Sequence, residues 1–361
     1  MKKPNATLHA TLREAISRAG ALSIADYMQL ALQHPEFGYY RHGDPLGQGG
    51  DFITAPEISQ MFGEMLGLWC ADMWRQMGSP SEFVLLEMGP GRGTLMQDAL
   101  RASAKLAGFQ NALRLHFLES SETLRASQME KLGAKQPKYI SNLSELPALP
   151  VLCIANEFFD ALPIRQFEMG FSGWCERLVT VNEDKLAFTL SPPDDAIKLL
   201  IPEELREAKP GTVFEISPAS INLMRDLAQH AARHGGAALV LDYGYVVPDG
   251  QPTLQAVARH RFADVLADPG EEDITALVDF SMLSRAATKQ GVTAHGPLGQ
   301  GAFLTALGIE LRADQLKLHA TPDQAKAIDA ALHRLTDVGQ MGSLFKVLAL
   351  TSPSLSQPPG F

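Results

Sequence analysis

Cysteine is scarce: only Cys70, Cys153 and Cys175 occur in 361 residues, and no two form a CxxC pair. Three thiols cannot all be paired, so a disulfide framework is excluded and a reducing compartment is expected. A thiolate metal site lacks its ligands for the same reason. Long apolar runs are missing as well. No stretch approaches the roughly 18 residues of a membrane span. The opening MKKPNATLHATLREAISRAG has two lysines but no apolar segment behind them, so it does not read as a secretory signal. Acids at Glu14 and Asp26 make it a poor transit peptide, and the expected location is the cytoplasm. Basic clusters are absent too: 31 Lys and Arg stand against 41 Asp and Glu, for a net charge of −10. Nucleic acid is therefore excluded as a general partner, because phosphate binding draws on clustered cations. There is no internal repeat.

What is present is the composition of a globular protein, 45% hydrophobic and 20% charged. Helical spacing over residues 7–33 (Leu8, Leu12, Ile16, Ala19, then Ile24, Met28, Leu32) ends at Pro35. A Gly-rich, aromatic-loaded stretch follows at 37–59, long enough to be functional or mobile. A helix at 57–77 puts Met61, Met65, Leu68, Trp69 and Trp74 on its apolar side. From 83 onward strands alternate with helices: FVLLEMG, LRLHFLES, KYISNL, VLCIAN and AALVLDYGY, with SLFKVLALTS closing the chain. That rhythm predicts an α/β fold with a largely parallel sheet. The apolar run VLAL marks the last strand as interior. The boundaries expected are a helical cap and lid at 1–80, the first half of the core at 81–162, an inserted α+β subdomain at 163–212, the second half at 213–351 and a disordered tail at 352–361. His230 and His234 have the i, i+4 spacing of helical metal ligands. They sit at a helix C-terminus, where the dipole favours them, and no metal is expected.

The chemistry concentrates in VLLEMGPGRGTLMQDAL. Glu87 ends an apolar strand; Gly89, Pro90, Gly91 and Gly93 turn the chain, and Thr94 stands as a helix cap. A P-loop needs a lysine that is not there, and a dinucleotide GxGxxG needs glycine where Thr94 stands. ExGxGxG remains, the pattern of enzymes that use S-adenosyl-L-methionine. An acid at the strand end suits the sulfonium and ammonium of that ligand, whereas beside a pyrophosphate it would repel. Glu119, with Ser120, ends the next strand where an acid accepts hydrogen bonds from ribose hydroxyls. It lies 26 residues beyond Gly93, past the usual ~20. Asn142 and Leu143 are placed at the adenine edge.

The blocks GYYRHGDPLGQGGDFITAPEISQMFGEMLGLW, LLEMGPGRGTLMQDALR, ANEFFDALPIRQF, FEISPAS, GGAALVLDYGY and GPLGQGAFL resemble the MidA-like class I methyltransferases, over about residues 20–350. This group includes the mitochondrial arginine methyltransferase that helps to assemble respiratory complex I. The resemblance implies a Rossmann-like, seven-stranded, mostly parallel sheet with an N-terminal helical cap and an insert. It also implies S-adenosyl-L-methionine as methyl donor, and symmetric dimethylation of an arginine on a protein partner, a complex I subunit being the candidate. A homodimer is left open. A small-molecule acceptor, or an assembly chaperone that only binds the donor, are the alternatives.

Class I enzymes place acceptor-binding residues after the fourth strand. Asn156, Glu157 and Asp160 stand there, with Phe158 and Phe159 as walls, and Asn156 within reach of the donor as well. Asp242, followed by Tyr243, ends the fifth strand at the same crevice. Asn156, Glu157, Asp160 and Asp242 are thus the catalytic candidates, since carboxylates grip a guanidinium bidentately. GDFITAPEIS is the expected lid, with Asp51, Thr54 and Glu57 near donor or acceptor, and Tyr39 and Tyr40 shaping the acceptor channel.

Overall fold

The computed structural model describes residues 6–41, 54–258 and 261–361. It divides into two compact units. One comprises the described residues of Ile53–Phe159, with Ile221–Val246 and Phe280–Phe361, the other the described residues of Met1–Phe52, Asp160–Ser220 and Val247–Asp279. Asp51, with most of the Gly-rich stretch, lies outside the described residues.

The larger unit is organised by seven strands: β1 (Phe83–Met88), β2 (Leu113–Leu118), β3 (Lys138–Ile140), β4 (Val151–Asn156), β5 (Gly236–Tyr245), β6 (Thr293–Gly299) and β7 (Phe345–Thr351). Their order is β3-β2-β1-β4-β5-β7-β6. β1 to β5 pair in parallel, and β7 is antiparallel to β5 and β6. The order reverses at β1, with β2 to one side and β4 to the other, and a sheet opens a ligand crevice at such a switch. β1 and β4 are buried along their whole length, which is why they read as continuous apolar runs. β7 is interior, as its VLAL run requires.

Helix Gln60–Gln76 packs on helix Thr94–Ala102 with the backbones nearly in contact: a Cβ at Gly67 would lie 2.5 Å from the Cα of Ala99. Met61, Met65, Trp69 and Trp74 are buried, whereas Leu68 is half-exposed. Residues 60–76 therefore belong to the sheet-bearing unit and not to a cap ending at 80. Glu64, buried on this helix, accepts from Arg312 Nε at 2.7 Å and from Arg101 Nη2 at 3.0 Å. Burial pushes its carboxyl up, but the two guanidiniums outweigh that and hold it below the ordinary range. Removing one partner of a buried pair is more damaging than never having built it. Arg312→Met should therefore lower stability by about 2–4 kcal/mol, read as a lower denaturant midpoint at unchanged slope; an unshifted midpoint would refute it.

The tail is ordered, against expectation. The Phe361 ring sits 5.4 Å from Phe303 and 6.3 Å from His295, and Pro358 is buried. An aromatic last residue gives an otherwise polar segment something to bury. Helix Ile309–Lys317 also lies in this unit and was not anticipated.

The smaller unit joins segments distant in sequence. Helices Ala6–Ala19 and Ile24–Gln33 share one core (Leu8, Leu12, Ile24, Tyr27, Met28) with Val179, Ala256, Leu266 and Ile274. Within the expected α+β insert the strands Arg165–Gly170, Gly173–Asn182 and Lys185–Leu190 pair antiparallel. The cap and insert, read from the sequence as separate pieces, thus make one body together with residues 247–279. Three short strands, Gln255–Ala258, Arg261–Ala263 and Asp273–Thr275, form a small sheet of their own. No helix among the described residues is long and apolar enough to cross a membrane.

Candidate active site

β1 carries Glu87 to its carboxyl end and the chain turns at once through three left-handed glycines, Gly89 (φ 64°), Gly91 (φ 53°) and Gly93 (φ 79°). Gly93 occupies the cap position of helix Thr94–Ala102, and Thr94 is its first helical residue. The Thr94 hydroxyl is thereby free of capping. It donates to Glu57 Oε1 and accepts from Lys131 Nζ.

Glu87 is only 3% exposed, and its Oε2 has no hydrogen-bond partner among the described residues. Burial pushes its carboxyl up to about 8, with the nearby Glu119 carboxylate adding to the rise. Asn156, buried at the end of the adjacent strand β4, likewise keeps an unpartnered Oδ1. Two acceptor atoms left without donors beside a bare backbone turn are matched by a cationic ligand with N–H groups. The residues present therefore fit the methionine end of S-adenosyl-L-methionine.

Glu119, at the end of β2, accepts from Ser121 N at 2.7 Å and from Gln128 Nε2 at 3.3 Å. Burial raises its carboxyl above the ordinary range in spite of these bonds. Gln128, fully buried on helix Glu122–Leu132, also donates to the carbonyl of Gly91 at 2.6 Å. One amide thus ties the glycine turn to the acid of the next strand. Sequence reasoning missed Gln128, because nothing in the polar run SETLRASQMEKL distinguishes it from its neighbours. Ser120 is exposed beside Glu119. Pro90 is buried, its carbonyl accepting from Gly93 N at 2.8 Å.

Asn142 does not support its expected role. Its side-chain oxygen caps the short helix Leu143–Glu145 by accepting from Ser144 N at 3.1 Å, and its Nδ2 donates to Glu145 at 3.0 Å. Its amide is thus spent on the backbone and the acid of its own short helix, and Leu143 is turned into the core.

The loop after β4 carries Glu157 in a left-handed conformation, φ 49°. Such a conformation is costly for a non-glycine residue and tends to mark functional sites. Its backbone N–H donates to Leu241 O at 2.9 Å, while its Oε1 accepts from Ala55 N at 3.0 Å and from Asn156 Nδ2 at 3.0 Å. The two phenylalanines separate. Phe159 is core, whereas Phe158 is half-buried with its ring against Gly89.

Asp242 is corrected from catalytic to positioning. It is fully buried, and Oδ2 accepts from Phe158 N at 3.1 Å and Phe159 N at 2.9 Å, while Oδ1 accepts from Tyr243 N at 3.0 Å. A carboxylate whose two oxygens accept from three backbone N–H groups fixes a loop. Asp242→Ala would strand buried donors at about 1–3 kcal/mol each. Its expected signature is a fall in thermal midpoint together with weaker donor binding, as the Phe158 loop loosens; an unaltered midpoint would refute it. Asp160 falls in the smaller unit, buried, its carbonyl accepting from Ala276 N at 3.0 Å. Tyr39 and Tyr40 belong to the smaller unit too, Tyr40 donating to Asp273 at 3.2 Å. Thr54 precedes the one-turn helix Ala55–Ile58 without a side-chain cap bond, and Glu57 on that turn lies 3.9 Å from Arg92.

Strand order, the glycine turn at the switch point and two strand-end acids together define a class I methyltransferase. An S-adenosyl-L-methionine-dependent methyltransferase family matches residues 65–298, more than half of the chain. The chain belongs to this family, and S-adenosyl-L-methionine is its cofactor. A relative from Drosophila melanogaster, named protein arginine methyltransferase NDUFAF7 homolog, mitochondrial, is 36% identical over 95% of this chain and 84% of its own length. The Homo sapiens protein arginine methyltransferase NDUFAF7, mitochondrial, is 35% identical over 93% of this chain and 81% of its own. A crystal structure from Burkholderia thailandensis bound to S-adenosyl-homocysteine superposes with a TM-score of 0.85 at 29% identity, covering 98% of this chain and 94% of that one. The relatives' names correct the cytoplasmic expectation: both are called mitochondrial.

Proposed function

We propose that the chain methylates the guanidinium of an arginine in a protein substrate. The observation that carries this reading is Glu157, a left-handed residue at the carboxyl end of β4 whose backbone N–H donates to Leu241 O and whose carboxylate accepts from Ala55 N and Asn156 Nδ2. A carboxylate so fixed suits a guanidinium, whose fork it can grip while aligning one nitrogen for in-line attack. The bound donor supplies the electrophilic methyl group. Asn156 stands at the junction, its Nδ2 on Glu157 and its Oδ1 buried beside the glycine turn. Phe158, against Gly89, walls the same junction. The arginine methyltransferase names of the relatives support the acceptor class. Symmetric dimethylation, a respiratory complex I subunit as partner and a homodimeric assembly are the finer parts of this reading, resting on the family resemblance.

Mass spectrometry of arginine methylation in respiratory-complex subunits, from cells with and without this gene, tests the proposal. A dimethylarginine lost with the gene, restored by the parent and not by Glu157→Gln, is the expected outcome. Labelled methyl groups confined to the low-mass fraction would refute a protein acceptor.

A further inference from the structure

We propose that Glu57 is a positioning residue that transmits the state of the donor turn to Glu157. The inference rests on the reading of Glu157 as the acceptor carboxylate. The one-turn helix Ala55–Ile58 is too short to be stable by itself, so its place depends on the packing of buried Ala55 and on the bonds it makes. It holds both halves of the site. At one end, the Ala55 N–H donates to Glu157 Oε1 at 3.0 Å. Two residues on, Glu57 Oε1 accepts from the Thr94 hydroxyl, and Oε2 lies 3.9 Å from Arg92 Nη1. Thr94 and Arg92 flank Gly93 in the donor turn, and the Thr94 hydroxyl also accepts from Lys131 on helix Glu122–Leu132. The chain of contacts therefore runs Lys131, Thr94, Glu57, Ala55, Glu157.

Nothing else about Glu57 accounts for this arrangement. It is not spent on the cap of its own turn, which has no side-chain cap bond. Its partners are two side chains of the donor turn, 35 and 37 residues further along the chain. A shift of that turn on donor binding would be carried to Ala55 and so to the carboxylate that receives the guanidinium. The acceptor site would then be in register only when the donor turn is in its bound position, which guards against unproductive acceptor binding.

Hydrogen–deuterium exchange with S-adenosyl-homocysteine as probe tests the inference. In the parent, the probe should slow exchange at 54–59 and 156–159 as well as at 88–94. In Glu57→Ala, slowing should be confined to 88–94 while probe affinity stays within about fivefold, since a bond of this kind contributes ~1 kcal/mol. Thr94→Val removes the same bond from the other side and should reproduce the pattern. Glu57→Gln keeps an acceptor oxygen for the Thr94 hydroxyl and should restore it. Arginine methylation in cells should fall about tenfold with Glu57→Ala and recover with Glu57→Gln. Slowing at 54–59 and 156–159 that persists at the parent's level in both Glu57→Ala and Thr94→Val overturns the proposal. Full arginine methylation by Glu157→Gln would instead overturn the acceptor reading, an outcome the exchange data do not depend on.

Discussion

Glu87→Gln is expected to weaken S-adenosyl-L-methionine binding roughly ten- to hundredfold, the ~1.5–3 kcal/mol typical of a hydrogen bond to a charged group, and to flatten its pH dependence. In the parent, burial, helped by Glu119, pushes the Glu87 carboxyl up to about 8. Below that pH the ligand-free protein carries the proton, whereas a cationic ligand favours the carboxylate. Binding must then release a proton, and affinity should climb with pH up to about 8, by at most tenfold per unit, and level off above. The same shift has a consequence for stability. A carboxyl whose folded pKa exceeds its unfolded value of ~4.3 stabilises most below that value, and the contribution is lost as pH rises through about 8. Above pH 8 the ligand-free parent buries a charge that glutamine does not, so Glu87→Gln should melt at the higher temperature there while binding donor worse. Calorimetric titrations in buffers of different ionisation enthalpy report the released proton directly. Equal affinity at pH 6.5 and 8.5 in the parent would end the argument.

Gly89→Ala should abolish measurable donor binding at micromolar concentrations with only a modest loss of fold stability. Gly89 has φ 64°, and a Cβ there would lie 2.7 Å from Phe158 Cδ2. The left-handed conformation costs an L-residue about 1–2 kcal/mol. The collision adds to this, and it cannot be relieved by the backbone, because Phe158 N and Phe159 N are both held by Asp242. The ring itself must swing out of the junction between the donor turn and Glu157. Gly20→Ala isolates the two effects: Gly20 has φ 83° with nothing within 4 Å of its missing Cβ. That variant should show the conformational cost alone, with donor affinity intact. Adding Phe158→Ala to Gly89→Ala should recover part of the binding. Parent-like affinity in Gly89→Ala would show that the turn is not the donor seat.

The corrected residues explain where sequence reading stops. Asp242, late in β5, and Glu157, just past β4, are acids on adjacent parallel strands, indistinguishable by pattern. One is fully buried under three backbone N–H groups, the other carries a left-handed backbone beside the donor turn. Asn142 looked like a ligand contact because cap residues and ligand contacts use the same polar side chains at the same strand ends. Glu57 was placed in a lid near the site, but its bond to Thr94 joins residues that no local periodicity relates.

What the sequence by itself determined is everything written in short windows: the apolar strands, the glycine turn with its leading acid, the interior last strand and, from these, the class of enzyme and its donor. Strand periodicity and turn chemistry act over a few residues, so a few residues are enough to read them. What only the tertiary structure decided is which polar group faces ligand and which faces backbone, that Gln128 clamps the donor turn, and that the first helices join residues 160–220 and 247–279 in one body. Those outcomes depend on partners brought from tens to hundreds of residues away, and a buried polar atom takes its role from whichever donor or acceptor the fold delivers to it.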